Sequence, residues 1–494
     1  MRHLFLQKPF ELLTEECVEE GEHTLQRVLG PWSLTALGIG AIIGAGIFVL
    51  TGEAAFRNAG PAVILSFVAA GLACAFAALC YAEFASLIPI AGSAYTYGYA
   101  TLGEIFAWII GWDLILEYAL AASTVSVGWS GYFASFLSHF GLQISPFIST
   151  STYVLNTEGE FEYTGAVNLV AIAVLFIAST VLAIGIRESA AMNTAIVILK
   201  VGIVLLFIFA GIWYVKPANW TPFLPANTGE FGHYGWSGVL RGSALVFFAY
   251  IGFDAVSTAA QETRNPKRDL PIGILASLSI CTVLYILVSG VLTGLVPYTE
   301  LGVPHPISVG IQATPFPWLG WIVDLGAVLG LGSVILVMLL GQSRVFYAMS
   351  RDGLLPAIFS KIHPRFRTPF LPTLLTGAAV AIPGALFPIA VLGHMVNIGT
   401  LLAFAIVCAS VLVLRIQRPD LDRPFKVPGY PWVPIFGVLT SIGLMCFLPL
   451  ETWERLGIWM VFGLVIYALY GRRHSKVQAL NKSAQSAALA SVRT

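Results

Sequence analysis

The sequence contains few charged side chains. Asp, Glu, Lys and Arg make up 11% of its 494 residues, whereas soluble domains carry about 25%. Acidic and basic residues are equal in number, 26 of each, so there is no net positive charge to attract a polyanion. These two features exclude an ordinary soluble domain and lead us to expect no nucleic-acid partner.

Motifs for metal binding and covalent catalysis are also missing. The six cysteines form no C-x-x-C pair, and the eight histidines form no H-x-x-x-H pattern. We therefore interpret the cysteines as packing residues in apolar surroundings. No nucleophile stands beside a candidate base, so the sequence predicts neither an enzyme nor a resident cofactor.

Long apolar runs dominate the chain instead. Hydrophobic residues make up 57% of the sequence, and the mean hydropathy is +0.82. A helix needs about 20 apolar residues to cross a bilayer core of about 30 Å. Runs of this kind lie at 33–55, 61–87, 101–136, 165–186, 191–214, 238–261, 270–296, 320–349, 371–388, 391–415, 431–450 and 455–471. We predict an all-α integral membrane protein with twelve transmembrane helices, of which the ninth is the weakest because Pro383 and Pro388 interrupt it.

The basic residues are distributed unevenly between the two predicted sides. Arg57, Lys216, Arg241 and Arg455 fall outside, Lys200 lies within a span, and the other basic residues fall in segments that twelve spans place in the cytoplasm. By the positive-inside rule, both termini are predicted to be cytoplasmic, in the cell membrane. We expect a cytoplasmic segment at 1–31, a ten-helix core at 32–415, two further helices at 416–471, and a polar, disordered cytoplasmic tail at 472–494.

The first span carries four glycines between Gly38 and Phe48. Each glycine inside a helix costs about 1 kcal/mol relative to alanine. Small residues also permit close helix packing in membranes, which is one interpretation of this run. The other is an interrupted helix, whose open backbone is tolerated at membrane depth only where it lines a cavity or binds something.

A second candidate break lies in the sixth span, where an isolated Gly252 and a carboxylate, Asp254, sit among aromatic residues in the run 247–254. If spans 1–5 and 6–10 are inverted repeats, at about 32–215 and 236–415, the two breaks face each other at mid-membrane. Interrupted segments at matching positions of two halves point to a transporter binding site.

Backbone groups exposed at such breaks suggest a ligand. The unpaired N–H groups that begin the second half of a broken helix suit a carboxylate, and the unpaired carbonyls that end the first half suit an ammonium group. An α-amino acid carries both groups. We therefore predict two partners for the chain: a small-molecule L-amino acid as the substrate, and the lipid bilayer as its surroundings.

Several charged residues lie within predicted spans, and three of them are candidates for function. Lys200 is in the middle of the fifth, where a charge costs at least about 2.5–3.5 kcal/mol. It is either a static tie to backbone carbonyls of the first span or a proton-coupling residue that gains and loses its proton. Glu117 and Asp254 have either a gating or proton-handling role or a fixed hydrogen-bonding role. Glu83, near the end of the second span, is interpreted as a local structural anchor.

The chain resembles the amino acid–polyamine–organocation superfamily of transporters, and within it the bacterial members of the cationic amino acid transporter family. The resemblance covers about residues 25–475. It rests on these segments: 38–48, 81–84, 92–95, 111–118, 248–258, 262–266 and 350–356.

This resemblance implies a LeuT-like five-plus-five inverted repeat with two extra C-terminal helices, and transport by alternating access. It also implies roles for backbone groups at the two breaks. The amides of Ala45 and Gly46, with Gly44, would hold the substrate carboxylate. The carbonyls of Ile42, Phe248 and Ile251 would hold the ammonium group.

Further roles follow from the same resemblance. Phe248 would also act as a gate, and the lysine matching Lys200 stands where sodium-coupled relatives bind sodium. Ile43 and Ala249 complete the predicted binding set, and, apart from the resemblance, we expect Met338 on the eighth span to limit its depth. Ser333 offers one of few hydroxyls there, which further disfavours sodium as the coupling ion.

We therefore predict a proton-coupled symporter of L-amino acids, favouring small or medium neutral substrates because no spare acidic residue is available for a cationic side chain. The alternatives are an obligate exchanger of amino acids or polyamines, a carrier of cationic amino acids, and a membrane sensor that binds an amino acid without transporting it.

Overall fold

A computed structural model of the chain describes residues 6–8, 28–88, 93–156, 160–185, 190–366 and 368–481. The described chain is mostly helical. Its β-structure beyond isolated bridges is a hairpin in which β1 (Tyr153–Leu155) pairs antiparallel with β2 (Phe161–Tyr163). Most of the predicted N-terminal segment 1–31, with its acidic residues, lies outside the described residues.

The α-helices follow the predicted apolar runs closely. Up to Gly211 they are α1 (Pro31–Ile42), α2 (Thr51–Ala54), α3 (Val63–Leu87), α4 (Ser93–Thr101), α5 (Glu104–Ser138), α6 (Pro146–Ser149), α7 (Leu169–Ile184) and α8 (Ala190–Gly211). From Gly235 they are α9 (Gly235–Val246), α10 (Ala255–Thr258), α11 (Pro266–Leu295), α12 (Pro306–Gln312), α13 (Gly320–Arg351), α14 (Phe370–Leu386), α15 (Ile389–Gln417), α16 (Trp432–Cys446), α17 (Leu450–Ile466) and α18 (Arg472–His474).

Short turns of other helix types extend several of these elements. Turns of π-helix cover Gly46–Leu50, Ala55–Ala59 and Tyr467–Gly471. Turns of 3₁₀-helix cover Gly60–Ala62, Ile212–Tyr214, Pro217–Trp220, Phe247–Tyr250, Ala260–Glu262, Tyr298–Glu300, Pro317–Leu319 and Ala357–Ser360.

Within the described residues, eight helical runs are long and apolar enough to cross a membrane: Gly46–Leu87, Glu104–Ser138, Thr194–Tyr214, Gly235–Thr258, Pro266–Leu295, Pro317–Arg351, Ile389–Gln417 and Leu450–His474. Four shorter apolar helices, α1, α7, α14 and α16, fall below that length. Each predicted span therefore overlaps a helix, while the full set of twelve crossings stays a prediction. The ninth span is among the short ones, with Pro383 inside α14.

Small residues bring the long helices close together. A Cβ atom added at Gly273 of α11 would lie 2.7 Å from the Cβ of Leu34 on α1. One added at Gly38 would overlap Ser277 of α11. Helices in a bilayer associate through such close packing, because lipid already solvates their apolar side chains.

Different segments of the chain lie at the two ends of the molecule. We call the end with Lys8 and Ser475 the terminal face, and the end with the β1–β2 hairpin the hairpin face. At the terminal face, Leu29 forms a parallel β-bridge with Thr263. The Leu29 amide donates to the Glu262 carbonyl at 2.9 Å, and the Arg264 amide donates to the Leu29 carbonyl at 2.9 Å.

The start of the C-terminal tail is ordered and packed, so the prediction of disorder from residue 472 is wrong for 472–481. The reason is a buried carboxylate at the start of α5. Glu104 accepts hydrogen bonds from Tyr467 at 2.7 Å, from Gln478 at 2.6 Å and from the Ser475 hydroxyl. A buried carboxylate requires such donors, and the tail supplies them.

Candidate functional site

The first predicted span is broken where its glycines cluster. Helix α1 ends at Ile42, and Ile43 is extended, with ψ of 101°. Gly44 forms a bend, and helical structure resumes at Gly46 in a π-turn. Every residue from Gly38 to Leu50 is buried. The prediction of an interrupted helix is confirmed here, because glycine stabilises a helix too little to keep this stretch continuous.

The sixth predicted span is broken as well. Helix α9 passes into the 3₁₀-turn Phe247–Tyr250, and Ile251 is extended, with ψ of 133°. Gly252 follows with φ of +122°, a conformation that residues with a Cβ atom rarely adopt. Its amide donates to Oδ1 of Asp254 at 3.1 Å. Asp254 thus stabilises the turn before α10 starts at Ala255.

The two breaks meet in the interior of the protein. Gly46 lies directly against Ala249, so closely that an added Cβ atom would overlap it. A Cβ atom at Gly252 would lie 2.8 Å from the carbonyl carbon of Ala41. The predicted juxtaposition of the two interrupted segments is therefore present. In this conformation they are in contact, and Phe248 is 6% exposed.

Lys200 of α8 reaches the first break. Its side chain is fully buried, and its Nζ donates to the Gly40 carbonyl at 2.7 Å and the Ile43 carbonyl at 3.1 Å. Gly330 of α13 packs on the Lys200 stem, since a Cβ there would lie 3.2 Å from Cγ. Carbonyls at the end of a helix have no intrahelical donor, and Nζ of Lys200 provides one.

The remaining predicted residues surround these breaks. Val334 of α13 contacts Gly44, because a Cβ atom added at Gly44 would lie 3.2 Å from Cγ2 of Val334. Met338, one helical turn further along α13, is 4% exposed and shares that face because residues four apart align on a helix. Ile42, Ala45 and Ile251 are buried as well.

The buried acids form a second group beyond the sixth-span break. Glu117 of α5 is 1% exposed. It lies within hydrogen-bonding reach of Thr400 on α15 and interacts electrostatically with Asp254 and Asp113. Among the described residues, the Oε1 atom of Glu117 has no hydrogen-bond partner. The structure thus brings Glu117 and Asp254 together.

Glu83 of α3 is a structural anchor, as predicted. It accepts from Arg415 Nε at 3.0 Å and from the Val427 amide at 2.8 Å. Arg423 lies 3.4 Å away. The carboxylate therefore ties α3 to the end of α15 and to the segment that follows it.

Two residues that stabilise the breaks were not found from the sequence. The Tyr285 hydroxyl on α11 lies 2.9 Å from the Ile42 carbonyl and 2.8 Å from the Ala249 carbonyl. The Asn397 side-chain amide on α15 donates to the carbonyls of Ala244 and Leu245 at 2.7 and 2.8 Å. The available signal was a lone polar group within an apolar span, which is functional by default.

A small apolar cavity lies beside the resumed half of the first segment. Its lining residues belong to that half and also to helices α8, α11 and α12: Ile47, Phe48, Ile203, Val204, Phe207, Val288 and Ile307. It is separate from the contact between Gly46 and Ala249.

Comparisons with known proteins agree on one family. The family model described as amino acid permease matches residues 29–470. The chain is 51% identical to the branched-chain amino acid permease BcaP of Bacillus subtilis, over 92% of this chain and 96% of that protein. It is 46% identical to the methylthioribose transporter of the same organism, over 96% and 99% of the two chains. It is 40% identical to the vacuolar cationic amino acid transporter 4 of Arabidopsis thaliana, over 81% and 65%.

Proposed function

The chain belongs to the amino acid permease family, within the amino acid–polyamine–organocation superfamily, and on this premise we propose that it is a proton-coupled importer of L-amino acids that works by alternating access. The observation that carries the proposal is the meeting of two helix breaks in the buried interior, at Gly46 and Ala249. The family and its relatives are transporters rather than enzymes.

The proposed topology has twelve transmembrane helices, with five-plus-five inverted repeats at about 32–215 and 236–415 and two added helices at 416–471. The four short apolar helices would then cross as well. In this topology the terminal face is cytoplasmic, with 1–31 and 472–494 on that side of the cell membrane. The hairpin face is external.

The proposed binding site uses backbone groups of both breaks. The first amides of a helix have no carbonyl partner one turn earlier, so Ala45 and Gly46, with Gly44, would hold the carboxylate. Carbonyls of Ile42, Phe248 and Ile251 would hold the ammonium group. Ile43, Ala249 and Met338 would enclose the substrate once the two segments separate at Gly46, with Phe248 as the gate.

Neutral substrates are favoured by the surroundings of this site. Val334 and Met338 place apolar side chains on the α13 face next to Gly44. A charged side chain in such surroundings would be costly without a partner. The name of the relative BcaP points to branched-chain amino acids, and that of the methylthioribose transporter supplies a second candidate, a neutral thioether solute.

Proton coupling is proposed for Lys200, with gating or proton handling at Glu117 and Asp254. The ammonium form donates to the carbonyls of Gly40 and Ile43, whereas a neutral amine would hold them less strongly, because charge-assisted hydrogen bonds are about twice as strong. The proton would thereby bias the first break towards one conformation. Sodium has no part in this proposal.

Uptake into proteoliposomes tests the function directly. Labelled leucine, alanine, arginine and methylthioribose would be offered with the outside about one pH unit more acidic than the inside. One proton per substrate would then allow about tenfold accumulation, since 1.4 kcal/mol is a factor of ten. We expect accumulation of leucine and alanine that a protonophore abolishes.

Each rival function gives a different result in this assay. Uptake that requires internal substrate would establish an exchanger. Arginine accumulation that alanine does not inhibit would establish a cationic carrier, and accumulation of methylthioribose alone would favour the second candidate. Binding without flux would establish a sensor.

A further inference from the structure

A buried carboxylate near the hairpin face has unusual neighbours. Asp324, one turn into α13, has a side chain with no exposed surface. Its Oδ2 accepts from the Ser135 hydroxyl at 2.6 Å and lies 3.1 Å from Nε2 of His139. Ser135 is on α5, His139 is the residue that follows the end of α5, and the His139 side chain is 24% exposed. His139 therefore connects a fully buried acid to the surface.

A third element completes this group, which we call the Asp324 cluster: Ser135, His139, His305, Ser308 and Asp324. His305 precedes α12, and Ser308 lies within it. His305 interacts electrostatically with both Asp324 and His139, and Ser308 lies close to the Asp324 carboxylate. Burial lowers the pKa of His305, against the opposite influence of Asp324.

Within the part of the chain that the structure describes, several polar atoms of the Asp324 cluster lack a hydrogen-bond partner. Among the described residues, Oδ1 of Asp324, Nδ1 of His305 and Oγ of Ser308 are buried without a hydrogen-bond partner. Buried polar groups are nearly always paired, and each exception requires an explanation. Here one exception belongs to the acid itself and two belong to neighbouring side chains, and the Asp324 and His305 atoms belong to groups that can bind a proton.

Along α13, the Asp324 cluster lies nearer the hairpin face than the point where this helix contacts Lys200 of α8. Gly330 of α13 packs on the Lys200 stem, and Asp324 is six residues earlier, about 9 Å towards the hairpin face at 1.5 Å per residue. The apolar cavity described above lies on this side, lined by Ile203 and Val204 of α8 and by Ile307, the neighbour of Ser308. The cluster, the cavity and Lys200 therefore follow one another from the surface inwards.

We propose that the Asp324 cluster is the site at which an external proton is taken up on its way to Lys200. The inference rests on the proposed coupling role of Lys200 and adds an entry site to it. His139 binds a proton from solvent at its Nδ1, and the proton on its Nε2 passes to Oδ2 of Asp324. His139 is then neutral again and Asp324 is a neutral acid.

The second transfer completes the path. Asp324 gives its proton, through water that enters the cavity when the external side opens, to the neutral amine of Lys200. Asp324 returns to its carboxylate form and Lys200 becomes an ammonium ion that donates to the first break. Tyr132, the other titratable group that packs here from α5, donates to the Phe48 carbonyl at 2.6 Å and keeps its proton.

The alternative to proton uptake is that the Asp324 cluster has only a structural role and holds α5 and α13 together. Asp324→Asn separates the two roles, because asparagine is similar in shape and still accepts from Ser135 but cannot carry a proton. We would reconstitute the full-length wild type, Asp324→Asn, Asp324→Glu and His139→Gln in proteoliposomes. His233→Gln is the matched control, since His233 pairs with Glu230 at 3.8 Å in an exposed loop.

Leucine uptake would be measured against external pH at fixed internal pH, together with leucine exchange at equal pH, which moves no net protons. We expect Asp324→Asn to lose the rise in uptake at acidic external pH and the pH-driven accumulation, with exchange preserved. We expect Asp324→Glu to restore both, His139→Gln to shift the profile, and His233→Gln to match the wild type.

Three outcomes would overturn the entry site. In the first, Asp324→Asn keeps the wild-type pH profile while Lys200→Ala loses accumulation. In the second, Asp324→Asn lowers exchange and uptake equally at every pH, as a structural tie would. If Asp324→Asn does not fold, an unshifted profile in His139→Gln is the third. Undiminished accumulation in Lys200→Ala would instead refute the coupling role itself.

Discussion

The two helix breaks are stabilised by hydrogen bonds from different kinds of side chain. At the first, Nζ of Lys200 donates to the carbonyls of Gly40 and Ile43, at the end of α1. At the second, the neutral amide of Asn397 donates to carbonyls near the end of α9. Asp254 caps the far side of that break through the Gly252 amide.

This difference assigns different parts to the two breaks. An amide side chain does not titrate, so the hydrogen bonds of Asn397 are the same at every physiological pH. A lysine amine changes between two forms, and only the charged form gives charge-assisted hydrogen bonds. On the proposed role of Lys200, a proton acts on the first break through the lysine amine, whereas the Asn397 hydrogen bonds at the second break do not change with pH.

The largest effect is expected where the breaks touch. Gly46→Val places side-chain atoms where the backbone of Ala249 lies, so we expect transport of every substrate to fall below detection. Gly202→Val is the control, because Gly202 of α8 has open space around it. Leucine uptake and exchange would be measured for both. Normal transport by Gly46→Val would mean that the two breaks do not form the site.

The next effect separates the first break from the second. Lys200→Ala removes the ammonium donor, and we expect pH-driven accumulation to fall by the whole factor of about ten that one proton and one pH unit allow. Exchange without a pH gradient should continue. Lys216→Ala, an exposed lysine after the same helix, serves as the control, and accumulation by both variants alike would contradict the assignment.

Loss of the Asn397 hydrogen bonds at the second break should have an effect that does not depend on pH. Asn397→Leu leaves the carbonyls of Ala244 and Leu245 without their side-chain donor, at a cost of about 1–3 kcal/mol. We expect a lower melting temperature in detergent and a lower maximal uptake rate by the same factor at acidic and neutral pH. Asn219→Leu removes a similar bond, from the turn Pro217–Trp220 to the Gly294 carbonyl at the end of α11, and should change uptake little. A pH-dependent defect in Asn397→Leu would remove the contrast between the breaks.

The smallest effect is expected at the group that both breaks share. Tyr285→Phe removes one hydroxyl that lies between the Ile42 and Ala249 carbonyls. A net loss of about 1 kcal/mol corresponds to a change in KM of about fivefold. Tyr163→Phe, on the exposed strand β2, is the matched control. A KM equal to that of the wild type would show that Tyr285 has no part in the site.

The sequence predicted what local composition determines. Glycines at 44 and 252 weaken helices regardless of their neighbours, so both breaks could be located before any contact was known. The positions of Asn397, Tyr285 and Asp324 gave no such information, because their partners lie far away along the chain. The contacts of Ser475 and Gln478 with Glu104 likewise depend on the packing of distant segments.

The β-bridge at Leu29 has a mechanical consequence. It fastens the segment that leads into α1 to the segment that follows the second half of the sixth span. Two half-helices that are joined by hydrogen bonds at one end are coupled in their motion. In the proposed alternating access, a displacement that carried one of these half-helices away from α13 would draw the other along through these two backbone hydrogen bonds, so both would leave the route to the terminal face in one step.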